Sequence, residues 1–123
     1  MTSDEFENEK AAIKALLPRR PYMLADLISA ATELDDDMTI DALFGARATA
    51  SHVAWRRRVW YLATSELQMS TDQVAALMSR DGSTVRYGLK KYAPETDCDA
   101  LDELQGLARR HHAQRNQWLR LCV

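Results

Sequence analysis

A chain of 123 residues with 46% hydrophobic content carries enough apolar side chain for one modest core and not for several domains. No run of about 18 apolar residues occurs, and acidic Asp4, Glu5, Glu7 and Glu9 open the chain where a secretory signal carries positive charge ahead of an apolar stretch. A soluble, cytoplasmic protein without membrane contact is expected.

The periodicity is helical nearly throughout, so the expected fold class is all-α. Residues 1–37 form an acidic N-terminal helical segment. A first helix is predicted from Asp4 to Leu17, ended by Pro18 and Pro21, and a second from Tyr22 to Leu34 with Met23, Leu24, Leu27, Ile28 and Ala31 on its apolar stripe. The acidic turn Asp35-Asp36-Asp37 suits the start of a short helix, Thr39 to Phe44, which Gly45 closes. A long helix follows from Thr49 to Leu67, with Val53, Val59, Trp60, Leu62, Ala63 and Leu67 buried and Arg56, Arg57 and Arg58 as a basic cluster. After Pro94 a last helix, Thr96 to Leu121, places Leu101, Leu104, Ala108, His111, Arg115 and Trp118 at three-to-four spacing, within a C-terminal segment of residues 93–123. Its apolar end, Trp118 to Leu121, packs on its own domain or meets a partner, including a second copy of the chain.

The formal net charge of −2 is unevenly spread. Met1 to Leu43 carries 4 Lys/Arg against 10 Asp/Glu, Phe44 to Tyr92 carries 8 against 3, and the rest 4 against 5. A basic middle third is an electrostatic footprint for a polyanion, because neutralised phosphates release their counterions.

Ser70 to Lys91 reads as two short helices joined by a turn. Ser70 is an N-cap and Gln73 can complete a capping box, with Val74, Ala75, Leu77 and Met78 as the buried face. Asp81 is a second N-cap, followed by Val85, Leu89 and Tyr92 at apolar spacing. Two capped helices and a short turn are the signature of a helix-turn-helix. With Val85 and Leu89 inward, Gly82, Ser83, Thr84, Arg86, Tyr87 and Lys90 lie on the other faces, where the first turn of a recognition helix meets base edges.

Residues 38–92 also resemble the C-terminal DNA-binding domain, domain IV, of the bacterial replication initiator DnaA. Tyr61-Leu62-Ala63-Thr64-Ser65-Glu66-Leu67 is close to that domain's Y-L-x-x-E-L pattern, Ser70 to Val74 to its S-x-x-x-[IV], and Arg80-Asp81-Gly82-Ser83-Thr84-Val85 to its R-D-H-[ST]-T-V. The resemblance implies a helix-turn-helix that binds double-stranded DNA, with Arg56 entering the minor groove from the long helix, Arg47 in a basic loop, and Asp81, Ser83 and Thr84 reading the major groove. Arg57 and Arg80 stand beside them as further candidate DNA-binding residues. Gly82 stands where the family has histidine, and Met78-Ser79 where it has two glycines in a turn one residue longer, which implies a target other than the family's usual box. No G-x-x-x-x-G-K-[ST] occurs, so the initiator's ATPase is not expected.

The expectation is a nucleoid-associated transcriptional regulator. Its rival is a protein-protein adaptor that keeps the fold without base readout. No enzyme activity, metal or cofactor is expected: Ser51 with His52, or Asp99 with Asp102 and Glu103, lack any glycine-rich or nucleophile-elbow setting, adjacent His111 and His112 diverge as solvated residues, and Cys98 and Cys122 sit about 36 Å apart on the last helix.

Overall fold

A computed structural model describes residues 20–45 and 49–121, with side chains to Leu119. The predicted helix Asp4 to Leu17 and the basic-loop residue Arg47 lie outside the described residues. The chain is all-α, with no strand among the described residues, in the order α1 Leu24–Leu34, α2 Ile40–Phe44, α3 Ala50–Ser65, α4 Thr71–Leu77, α5 Gly82–Lys91, a 3₁₀ turn Pro94–Thr96 and α6 Cys98–Leu121. No helix among the described residues is long and apolar enough to cross a membrane.

Helix α3 is the axis of the fold and packs against each of the other five helices. It buries Trp55, Val59, Trp60, Leu62 and Ala63, whereas Val53, expected inside, is only half-buried. Leu27, Leu43, Val74, Met78, Val85 and Leu104 close the same core from the surrounding helices. Each such side chain taken fully out of water stabilises the fold by about 1.5–3 kcal/mol before entropy is counted. Two residues expected in apolar stripes face solvent instead: Leu77 is 59% exposed at the end of α4, and Trp118 is 63% exposed near the end of α6.

Side-chain caps set the starts of α2, α3 and α4. Thr39 Oγ1 accepts from Ala42 N at 3.1 Å and Thr49 Oγ1 from His52 N at 3.3 Å. The acidic turn between α1 and α2 does not cap α2. Asp35 accepts from Asp37 N at 3.0 Å, from Trp55 Nε1 at 3.0 Å and from Ser51 Oγ at 3.4 Å, so it ties the end of α1 to α3. Those donors, the Asp37 amide foremost and then the Trp55 indole, hold its carboxyl below the ordinary value.

The histidines of α6 are partners of α1 and not merely solvated. His111 Nε2 lies 2.6 Å from Glu33 Oε2, and His112 Nδ1 lies 3.2 Å from Asp26 Oδ2. Asp26, only 3% exposed, also accepts from Met23 N at 2.8 Å and from Arg115 at 3.0 Å. A buried carboxylate needs such partners, since ionising it unpaired in low dielectric is costly.

At the other end of α6, Arg58 makes a two-pronged pair with Asp97 at 2.7 and 3.0 Å, and the Tyr92 hydroxyl donates to the same carboxylate at 2.5 Å. This joins α3, the end of α5 and the 3₁₀ turn. Arg58, with Tyr92 adding to it, lowers the Asp97 pKa. A depressed carboxyl contributes stability that is full above its unfolded value, about 3.9, and lost as the pH falls through the folded value. Urea denaturation should therefore show wild type ahead of Asp97→Asn at neutral pH, with the gap closing below about pH 4.

The turn from α4 to α5 is a Schellman ending. Ser79, at φ 56°, occupies the left-handed position, and Arg80 N donates to Ala75 O at 2.8 Å, the six-to-one bond of that motif. A non-glycine residue there costs about 1–2 kcal/mol. Ser79→Gly should raise the free energy of unfolding by about 1 kcal/mol in urea, the gain being partly offset by the freer unfolded chain.

Candidate nucleic-acid interface

The α4–α5 unit starts from a complete capping box: Gln73 N donates to Ser70 Oγ at 3.1 Å, and Ser70 N to Gln73 Oε1 at 2.9 Å. That fixes Thr71 as the first residue of α4, as the sequence predicts. Asp81 holds the N-cap position of α5, but its side chain makes no capping hydrogen bond, contrary to expectation.

Helix α5 buries Val85 and Gly88, and Leu89 is half-buried. Gly88 is a packing residue that the sequence reading did not single out. A Cβ on it would stand 2.6 Å from Trp60 Cζ3, so α5 can approach α3 this closely only without a side chain at that point. A glycine in mid-helix was the available signal.

Outward from this contact, Asp81, Ser83, Thr84, Arg86, Tyr87 and Lys90 are exposed along α5, with Lys91 beside them. Tyr87 is 60% exposed, and Lys91 Nζ lies 5.7 Å above its ring. Arg86 Nη1 pairs with Asp72 Oδ1 of α4 at 3.1 Å. Both side chains are largely exposed, so the pair contributes at most about 1 kcal/mol. Gly82 gives this pair its room, because a Cβ there would collide with the Asp72 carboxylate. Its small size thus serves an internal contact of the two-helix unit.

The arginines divide differently from the expectation. Arg56 is 4% exposed and donates through Nε at 3.3 Å and Nη2 at 2.8 Å to the carbonyl of Ala42. Arg80, half-buried, donates to the carbonyl of Gly45. Both guanidinium groups therefore sit on the C-terminal carbonyls of α2, where the helix dipole favours a cation. Burial, and secondarily the neighbouring charge of Arg80, lower the Arg56 pKa. In this place Arg56 gives two of its donors to the Ala42 carbonyl and is almost closed to solvent, an internal role that the resemblance did not imply. Its spacing, three and four residues before Val59 and Trp60, is compatible with burial, but its partner on α2 is not written in the local sequence.

Arg57 makes no such carbonyl contact among the described residues. It lines a cleft of about 210 Å³ between α3 and α5 together with Arg56, Trp60, Arg80, Thr84 and Tyr87. The face thus brings together Arg57, Thr84, Tyr87 and, along α5, Ser83, Arg86 and Lys90, with the buried Arg56 beside Arg57 in the cleft. Among the described residues no group of three or more His, Cys, Asp or Glu side chains could hold a metal ion.

Arg56→Met keeps much of the side-chain volume and removes the donors. It should lower the free energy of unfolding by about 1–3 kcal/mol, since the Ala42 carbonyl loses a charged partner, and thermal or urea denaturation measures this directly. Comparison with protein-family models gives no match, and comparisons with curated proteins and with solved structures give no significant match either.

Proposed function

We propose that the chain binds double-stranded DNA as a helix-turn-helix protein and works as a small transcriptional regulator, with α5 as the recognition helix in the major groove. The observation that carries the reading is the solvent face of α5. Ser83 and Thr84 in its first turn, then Arg86, Tyr87 and Lys90, are all exposed on a helix whose opposite side is locked onto Trp60 through Gly88. Hydroxyls and a threonine methyl at the start of such a helix suit base edges and a thymine methyl. Arginine and lysine further along suit guanine or phosphate.

The basic middle third of the chain supports the same reading, as does the resemblance of residues 38–92 to DnaA domain IV. Arg56 is bound to the Ala42 carbonyl in this structure, so in this reading affinity rests chiefly on α5 and Arg57.

A second reading, a protein-protein contact at the end of α6, is favoured by one observation. Trp118 is 63% exposed and Leu119 48%, an apolar pair at the tip of the longest helix. It serves either a homodimer or a separate partner, and is compatible with DNA binding by α5.

Titration of a labelled duplex by fluorescence anisotropy tests the principal reading. Affinity should fall steeply as salt is raised from about 50 to 200 mM, with log K linear in log salt. Lys90→Ala should reduce that slope by about 1, and Thr84→Ala should weaken binding by about 1 kcal/mol without changing the melting temperature. Absence of binding to any duplex at low salt, or binding indifferent to salt, would remove DNA from the function.

A further inference from the structure

We propose that the cleft between α3 and α5 is a phosphate-binding site in which Arg57 and Arg80 hold the anion and Thr84 contributes its hydroxyl. Three arginines, Arg56, Arg57 and Arg80, line this one small space, and no carboxylate lines it. Arg57 is paired with no carboxylate among the described residues, whereas Arg58 and Arg86 each have one.

Two residues of the cleft lining also carry a buried donor that lacks an acceptor among the described residues. Arg80 Nε and Trp60 Nε1 are buried with no hydrogen-bond partner among the described residues, and both residues line the cleft. Buried donors normally find acceptors, and leaving one unmet costs about 1–3 kcal/mol, so an exception calls for an explanation. A cleft rich in donors and positive charge, and free of carboxylates, asks for an anion with several acceptor oxygens.

Burial first, and then the neighbouring charge of Arg80, lower the Arg56 pKa, in keeping with this crowding of positive charge. The guanidinium groups lie close enough to repel, and an anion among them would relieve that repulsion. Arginine's planar fork matches phosphate, and a charged donor meeting a charged acceptor makes the stronger class of hydrogen bond.

Size narrows the ligand. At about 210 Å³ the cleft is smaller than the roughly 300–1,000 Å³ typical of organic-ligand sites. A water takes about 30 Å³ of liquid, so there is room for a phosphate group with a few waters. Thr84 belongs both to this cleft and to the first turn of α5, so a phosphodiester lodged here would set the depth of that helix on a duplex. The duplex form of the proposal rests on the DNA-binding reading; a free phosphate group does not.

The test uses the full chain in three forms: wild type, Arg57→Gln, and Arg109→Gln as a control that removes the same charge from an exposed site on α6. Thermal unfolding in sodium phosphate is compared with sodium chloride at matched ionic strength, and the salt slope of duplex binding is measured for each protein. Phosphate should raise the melting temperature of wild type and the control, while Arg57→Gln should need about tenfold more phosphate for the same rise. If the source is a duplex phosphodiester, Arg57→Gln alone should also lower the salt slope by about 1. A lowered slope without protection by free phosphate supports the duplex source, and protection with an unchanged slope supports free phosphate. Neither effect specific to Arg57→Gln overturns the site. Loss of phosphate protection in that variant, alongside no duplex binding by wild type, leaves the site standing and removes the DNA-binding reading.

Discussion

The C-terminal carbonyls of α2 hold two guanidinium groups, and the placement of α5 depends on that contact. A helix of five residues is far below the length at which an isolated helix persists, so α2 needs tertiary partners. Thr39 closes its N-terminus, and at its other end Ala42 and Gly45 offer carbonyls that carry the negative end of the helix dipole. Arg56 reaches them from the middle of α3 and Arg80 from the turn that leads into α5. One helix end therefore sets both the long axis of the fold and the point from which α5 departs. Hydrogen bonds to charged groups contribute about 1.5–3 kcal/mol each, which exceeds the exposed pairs elsewhere on this face.

This arrangement explains which parts of the fold can be read from residues alone. Ser70 with Gln73, Thr39, Thr49 and Gly45 act within four residues of chain, so local chemistry decides them and the boundaries follow from sequence. The apolar stripe of α3 is legible for the same reason. Arg56 is different, because an arginine beside two others satisfies equally well a contact with a phosphate and a contact with the end of a neighbouring helix. Only the tertiary position of α2, fourteen residues away in the chain, decides between them. His111 and His112 follow the same logic: on α6 alone they look like solvated residues, and their carboxylate partners come from α1, more than seventy residues earlier.

Small residues mark the places where the two-helix unit is tightest. Gly88 sets how near α5 comes to α3, Gly82 makes room for the Asp72–Arg86 pair, and Ser79 takes a left-handed conformation without glycine's freedom. A sequence shows that such residues are small but not what they are small for. At Gly82 the nearest atom that a side chain would meet is a carboxylate oxygen of Asp72, an exposed group able to move aside.

The Asp72–Arg86 pair also bears on how α5 would meet a polyanion. Its members are 57% and 81% exposed at the side chain, so water and salt screen it and its release costs at most about 1 kcal/mol. A charge-assisted contact between arginine and phosphate is worth about 1.5–3 kcal/mol, which is enough to draw Arg86 away. The carboxylates of Asp72 and Asp81 stay behind near the start of α5, where they repel phosphates, while Arg57 and Lys90 attract them from either side. Opposite charges arranged in this way would hold the backbone off Ser83 and leave it to uncharged groups, while Thr84 lines the cleft with Arg57. In the DNA-binding reading, that is the division of labour between positioning by phosphate and reading by base edge.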